Sequence, residues 1–312
     1  MRVVAVLAVA ATVVSVAAAG PNAARPTALL SFTMSPRADP ENGQYLACTS
    51  RSDGKHRVRI VSGDLSASAP AWSPDGTKVA FTGWNLPAGL RSQDDADVVV
   101  ADARGQLLSN LTAGFSQDNI NPKWSPDGRW IAFISGELEL TLVPSDGSQA
   151  PVVITVTDFA GDFNWFPDGE RLAISKFSGD SIGVFSVDLD GSRLKRLTRG
   201  NEAAISPNGR KLAFVRIVGR SRYVFVANAN GSKPHRLSKG PRPEENPSWS
   251  PDGKWIAFER TVDPKSLFPH NSIVVTRSNG TGAYVAVKGK TYDPFYPTWR
   301  RGKLPEADRA SC

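Results

Sequence analysis

Along most of this chain, apolar residues come in short runs closed by small turn-forming residues, and the three-to-four spacing of an amphipathic helix is absent. The clearest runs are Lys78–Thr82, Trp130–Ile134, Arg171–Ser175, Lys211–Val215 and Trp255–Glu259. Each follows the same turn. Trp72-Ser73-Pro74-Asp75-Gly76 returns as Trp124-Ser125-Pro126-Asp127-Gly128, Trp165-Phe166-Pro167-Asp168-Gly169, Ile205-Ser206-Pro207-Asn208-Gly209 and Trp249-Ser250-Pro251-Asp252-Gly253. A degenerate copy, Trp299-Arg300-Arg301-Gly302, comes near the end. Proline presets φ for a type I turn, aspartate suits the next position, and glycine takes the left-handed conformation that returns the chain as a hairpin. A second apolar run follows each first, then a turn such as Asp190-Gly191 or Asn230-Gly231, then a last strand. The unit is four antiparallel strands.

Runs such as Ile131-Ala132-Phe133 are apolar on consecutive residues, so both faces of each sheet must be buried. A radial stack does that, with each sheet between two neighbours and the recurring tryptophan filling the space between them, its N–H on a backbone partner. Five units begin at Trp72, Trp124, Trp165, Ile205 and Trp249. Leu29–Thr33, Gln44–Thr49 and His56–Ser62 read as the second, third and fourth strands of another, whose first strand is Pro297–Arg300 from the far end. The expected fold is therefore an all-β, six-bladed β-propeller of four-stranded antiparallel blades, closed by pairing of N- and C-terminal strands in one blade. Closure removes the exposed edges of an open stack.

The amino-terminal stretch is a separate object. A short positive start and a continuous small, apolar run from Val3 to Val16 lead to Ala17-Ala18-Ala19, the composition of a secretory signal cleaved near Ala19–Gly20 or kept as an anchor. The expected layout is a signal peptide over 1–19, a linker over 20–28, the propeller over 29–300 and a tail over 301–312. The mature protein is expected outside the cytoplasm, periplasmic or secreted, with no membrane span. The formal charge of +7 is mild, and no nucleic-acid partner is expected. Arg57, Arg59, Lys195, Arg196, His235, Arg236, Lys288 and Lys290 fall on outermost strands, where cations discourage sheet-to-sheet association.

Taken together, Trp-Ser-Pro-Asp-Gly, then Ile-Ala-Phe, then an Asp-Gly turn, then Arg196-Leu197-Thr198 resemble the TolB-like β-propeller repeat, from about Leu29 to Arg300. The resemblance implies the propeller alone, without the α/β domain that precedes it in TolB and without a peptidase's hydrolase domain. Relatives built on this repeat include periplasmic scaffolds, peptidase gating domains and sugar-active enzymes. The reading taken is a secreted or periplasmic, non-catalytic binding scaffold and a monomer; a carbohydrate- or peptide-active propeller enzyme is the alternative.

The motifs for catalysis are weak. Gly179-Asp180-Ser181-Ile182-Gly183 matches a nucleophile elbow in spelling, but it falls in a hairpin of the fourth blade, not before a helix. Asp188-Leu189-Asp190-Gly191 lacks the further ligands of a calcium loop. His56 and His235 sit on outermost strands and His270 in a loop, so no imidazole cluster forms. No cofactor and no metal are expected. Cys48 and Cys312 fall in or after the closing blade; a bond between them would lock it, and the tail is long enough either to reach or to hang free.

Binding groups collect on connections of variable length, at the end of the ring opposite the uniform turns. Trp84, Asp94, Asp95, Asp97, Phe115, Asp118, Arg242, Glu244, Tyr292, Phe295 and Tyr296 are the expected contact residues, a mixture of aromatic and charged groups suited to a protein or glycan partner in the cell envelope.

Overall fold

A computed structural model describes residues 25–312 except 37–43, 62, 88–89, 91–95, 116, 265–269, 290 and 303–311. The proposed signal peptide lies outside the described residues. Among them, every element is a strand. Blade one pairs β1 (Leu29–Pro36), β2 (Leu46–Ser50) and β3 (Val58–Arg59) with the final strand, β24 (Tyr292–Arg300). Blade two is β4 (Ser66–Trp72) to β7 (Leu107–Asn110), with β5 (Lys78–Trp84) and β6 (Asp97–Asp102) between. Blade three runs β8 (Asn119–Trp124), β9 (Trp130–Ser135), β10 (Glu139–Pro144) and β11 (Val152–Ile154). Blade four runs β12 (Phe159–Trp165), β13 (Arg171–Ser178), β14 (Ser181–Asp188) and β15 (Lys195–Arg199). Blade five runs β16 (Asn201–Ile205), β17 (Lys211–Val218), β18 (Ser221–Asn228) and β19 (His235–Arg236). Blade six runs β20 (Glu244–Trp249), β21 (Trp255–Val262), β22 (His270–Arg277) and β23 (Tyr284–Lys288). The six-bladed propeller read from the repeat is the fold, and the two ends of the chain share one blade.

The repeat's spelling is a hydrogen-bond pattern. In blade two the Ser73 hydroxyl donates to Asp75 Oδ1 (2.6 Å), which also accepts the Thr77 N–H (3.0 Å). Lys78 N–H donates to Ser73 Oγ (2.9 Å), and Gly76 N–H to the Ser73 carbonyl (2.8 Å). Ser125 with Asp127, Ser206 with Asn208 and Ser250 with Asp252 repeat it. The second turn of each unit is fixed by what it touches. At Gly231 (φ +80°) an added Cβ would lie 1.9 Å from the Leu197 carbonyl oxygen of the preceding blade, so the approach needs glycine for space as well as for φ.

Phe32, Phe81, Phe133, Phe214 and Phe258, all on second strands, are wholly buried, and the core is a chain of clusters between adjacent blades. The tryptophan rule holds with a variation. Trp165, Trp249 and Trp299 donate Nε1–H to the carbonyls of Lys123, Ala204 and Ser248 (3.0–3.1 Å). Trp72 uses the Ser31 hydroxyl instead (2.9 Å), and the buried Trp124 Nε1 has no partner.

At the closure, β24 is longer than the Pro297–Arg300 read from sequence and pairs antiparallel with β1 from Leu29↔Arg300 to Pro36↔Tyr292. Cys48 and Cys312 are joined in a disulfide, with Cα atoms 6.2 Å apart across a sequence separation of 264. His270 opens β22, opposite Val262, rather than lying in a loop. Arg59, Lys195, Arg196, His235, Arg236 and Lys288 are on outermost strands as expected; Arg57 lies just before β3, and Lys290 is outside the described residues.

Candidate functional site

The innermost strands line a central channel with a cavity of about 280 Å³, reaching from Tyr296, Glu202 and Asn246 to Pro207 and Pro251 of the uniform turns. Every innermost strand is irregular where it enters the channel, with a shifted register in its pairing. Each has one residue of positive φ there: Ala69, Asn121, Gly161, Glu202, Asn246 and Tyr296. Bulges of this kind turn a side chain and a backbone N–H out of the ladder.

Five of those N–H groups, all but that of Gly161, bolt a blade to the one before. Ala69 N–H donates to Thr33 Oγ1 (2.8 Å) and Asn121 N–H to Thr82 Oγ1 (2.9 Å). From blade four onward the acceptors change. Glu202 N–H donates to Ser175 Oγ (3.2 Å), and Ala203 N–H to Asp162 Oδ2 (3.1 Å), which also takes the Ser175 hydroxyl (3.0 Å). Asn246 N–H donates to Glu202 Oε2 (2.6 Å), Tyr296 N–H to Glu259 Oε1 (2.7 Å), and Asn246 Nδ2 also to Glu259 Oε1 (2.7 Å). Asn246 therefore bridges two carboxyl groups. Between blades three and four, Lys123 Nζ donates to the Phe163 carbonyl and lies 3.8 Å from Asp162 Oδ1.

The largest cause of perturbation in these groups is loss of water. Burial pushes the Glu202 carboxyl up to about 7, with Asp162 and Glu245 adding repulsion. Burial pushes Glu259, only 2% exposed, up to about 8, with Glu245 and Glu202 again opposing ionisation. Burial also raises Asp162 and lowers Lys123, against their mutual attraction. Near neutrality Glu259 is held toward its protonated form and Glu202 is poised between its two forms. Among the described residues no group of three or more His, Cys, Asp and Glu is placed to hold a metal ion. Ser181 of the elbow-like motif donates to the Ser178 carbonyl (3.1 Å) within the β13–β14 hairpin, with no helix after it.

The expected contact residues divide. Tyr296 stands exposed at the channel mouth, 6.5 Å from the half-buried Phe295 ring. Half-buried Trp84 lies 5.8 Å from Tyr45. Asp118 is exposed and ties down Ala96 N–H (2.8 Å); Arg242 is exposed and Phe115 half-buried. Tyr292 packs on the core cluster around Cys48 and Cys312. Asp97 and Glu244 are not surface groups. Asp97 accepts from Thr112 Oγ1 and Asn110 Nδ2 (both 2.8 Å), and Glu244 from Ser238 Oγ (2.5 Å) and Arg260 Nη2 (2.7 Å), both carboxylates having no exposure. A buried carboxylate needs such partners, and each here closes the top of a blade. Asp94 and Asp95 lie outside the described residues.

The channel groups Lys123, Asp162, Glu202, Asn246 and Glu259 were missed. A signal existed: Asp162, Glu202 and Asn246 each stand three residues before the Trp or Ile that opens the repeated turn, as do Asn121 and Tyr296. At the same end of the ring, the β9–β10, β13–β14 and β17–β18 hairpins expose Leu138 (50%), Phe177 (53%), Ile217 (60%) and Val218 (48%) on three consecutive blades.

Comparison with known proteins agrees with this architecture. Over 155 residues the chain is 30% identical to an uncharacterized protein of Agrobacterium fabrum, covering 45% of this chain and 48% of that one. It is 22% identical over 223 residues to an uncharacterized peptidase, YuxL, of Bacillus subtilis, covering 64% of this chain and 30% of the peptidase. The chain thus spans less than half the length of either. The crystal structure of TolB from Acinetobacter baumannii superposes with a TM-score of 0.70 at 19% identity, over 88% of this chain and 66% of that one. The family model described as the TolB beta propeller domain matches residues 31–204, more than half of the sequence. On that match, the chain belongs to the TolB β-propeller family.

Proposed function

We propose that the chain is a monomeric, non-catalytic binding scaffold that works outside the cytoplasm, its amino-terminal apolar run serving as the export signal. Its partner, a protein or glycan of the cell envelope, docks on the face carrying the variable connections. One observation carries the reading: Leu138, Phe177, Ile217 and Val218 form an apolar arc over three blades, beside a channel mouth of hydrogen-bonding groups. Apolar contact area ringed by polar groups is the anatomy of a protein interface, and large apolar side chains grouped in solvent ask for a cover. Phe115, Asp118, Arg242, Phe295 and Tyr296 extend the same face, with Trp84 at its margin.

The test is capture from native envelope, comparing the wild type with a Phe177→Ser, Ile217→Ser, Val218→Ser variant. Loss of a captured partner by the folded variant supports the reading; identical capture overturns it.

A second reading follows from the carboxyls. Glu202 and Glu259 are held toward protonation near neutrality, as a general acid must be, and a related chain carries the name of a peptidase. A peptide- or carbohydrate-active enzyme would lose turnover in Glu202→Gln and Glu259→Gln, and a broad screen of such substrates separates the two readings.

A further inference from the structure

Six outermost strands end the six sheets, and among the described residues each leaves one backbone edge without a strand beyond it. Four carry a cation: Arg59 on β3, Lys195, Arg196 and Arg199 on β15, His235 and Arg236 on β19, and Lys288 on β23. Charges of this kind keep foreign strands from adding to an edge. β7 carries none and exposes Leu108, but its last residue, Asn110, donates through its side chain to the Leu90 carbonyl (2.7 Å) and to Asp97 Oδ2 (2.8 Å), which ties that end of the strand to the chain before β6. β11 is different. Its residues are Val152, Val153 and Ile154, with Val152 and Val153 exposed by 57% and 46%, and Thr155 and Thr157 beyond them are exposed as well.

The charge around this edge is also unlike the rest of the molecule. The chain as a whole is +7, yet no lysine, arginine or histidine occurs between Trp130 and Glu170. Carboxylates stand at both ends of the strand. Glu137 and Glu139 are exposed at one end of β10, which pairs with β11 as Leu140↔Ile154, and Asp146 is exposed in the turn between the two strands. Past the strand, Lys176 pairs with Asp158 (2.9 Å) and donates to the Thr157 carbonyl (2.6 Å), so the open edge stops short of Thr157 and Asp158 adds no net charge.

We infer that the outer edge of the third blade, Val152–Ile154, accepts an extended segment of a partner protein as an added strand, the segment being apolar at its centre and basic at its ends. Backbone hydrogen bonds supply the pairing, Val152 and Val153 meet partner side chains on opposite faces of the sheet, and the flanking carboxylates select lysine and arginine over acidic ends. Pro151 has no N–H, so pairing begins at Val152 and the register is fixed from that end. This edge is on the side of the ring and its occupancy is independent of any partner on the variable-connection face.

The probe is a short synthetic peptide of alternating valine and threonine flanked by lysine pairs, titrated against the full chain by fluorescence anisotropy, with amide exchange read residue by residue. Binding that weakens with salt, and slowed exchange confined to residues 152–154 and their neighbours on β10, are expected. Val152→Lys with Val153→Lys, which gives this edge the guard the other blades have, should weaken binding at least about tenfold. Both positions are exposed, so the fold should survive; Glu137→Lys with Glu139→Lys, which leaves β11 untouched, should weaken the lysine-flanked peptide and favour a glutamate-flanked one. No binding to the wild type, equal binding to the Val152→Lys, Val153→Lys variant, or protection on another blade would each overturn the inference.

Discussion

Glu259→Gln should make this protein more stable in alkali and leave it unchanged in mild acid. Glu259 is on β21, essentially without exposure, and its Oε1 joins blade six to the closing blade by accepting the Tyr296 N–H (2.7 Å) while also accepting Asn246 Nδ2 (2.7 Å). Burial and the carboxylates of Glu245 and Glu202 raise its pKa from 4.5 to about 8. Because the folded form keeps a proton that the unfolded chain releases near its ordinary value, stability is complete below about pH 4.5. It falls as pH rises, and the loss is complete above about pH 8. At about 1.4 kcal/mol per unit, the full span corresponds to about 5 kcal/mol, and relaxation with water entry into the channel brings the expected figure to about 3 kcal/mol. Glutamine retains the carbonyl acceptor for both bonds but has nothing to ionise, so its amide stands in for the protonated acid. Urea unfolding followed by tryptophan fluorescence, with the disulfide intact, would read the difference at about pH 4 and about pH 9. The expected result is no gap in acid and a variant more stable by about 3 kcal/mol in alkali. Parallel stability curves for the two proteins, or a wild type that is the more stable at high pH, would refute the account of the channel carboxyls.

Two further outcomes follow from the closure and from the tryptophans. Reducing the Cys48–Cys312 bond, or Cys312→Ser, should lower unfolding stability by about 5 kcal/mol on the chain-entropy argument for so long a loop, seen as a large drop in urea midpoint; a midpoint indifferent to reductant would contradict it. Trp165→Phe removes a donor whose acceptor is the Lys123 carbonyl, whereas Trp124→Phe removes an N–H that has no partner. The first substitution should therefore cost about 1 kcal/mol more than the second in matched denaturation curves, and equal costs would count against the assignment.

Much of the fold was legible because its turns are spelled out. Ser73, Pro74, Asp75 and Gly76 each do one local job, and local jobs leave local signatures. Consecutive apolar residues such as Ile131-Ala132-Phe133 reported two-sided burial, and counting units forced the shared blade. The channel was harder to see. Its polar groups sit in innermost strands whose bulges break the alternation by which inward positions are recognised, and Glu259 reaches the cluster from a second strand that otherwise reads as core. The errors on the rim have the same origin in reverse. Asp97 and Glu244 occur beside variable connections and so resemble surface carboxylates, but Thr112, Asn110, Ser238 and Arg260, distant or unremarkable in sequence, make their burial tolerable.

With Cys48 bonded to Cys312, the stretch from Cys48 to Cys312 is a covalent circle, and β1 with the first two residues of β2 lies outside that circle. A protease that severs one peptide bond within the circle would therefore linearise the molecule without dividing it. Every blade would still be tethered to its neighbours, and re-annealing of a frayed blade would stay a unimolecular event. Wherever a protease reaches this molecule, a single nick on an exposed hairpin within the circle leaves all six blades joined instead of releasing a fragment.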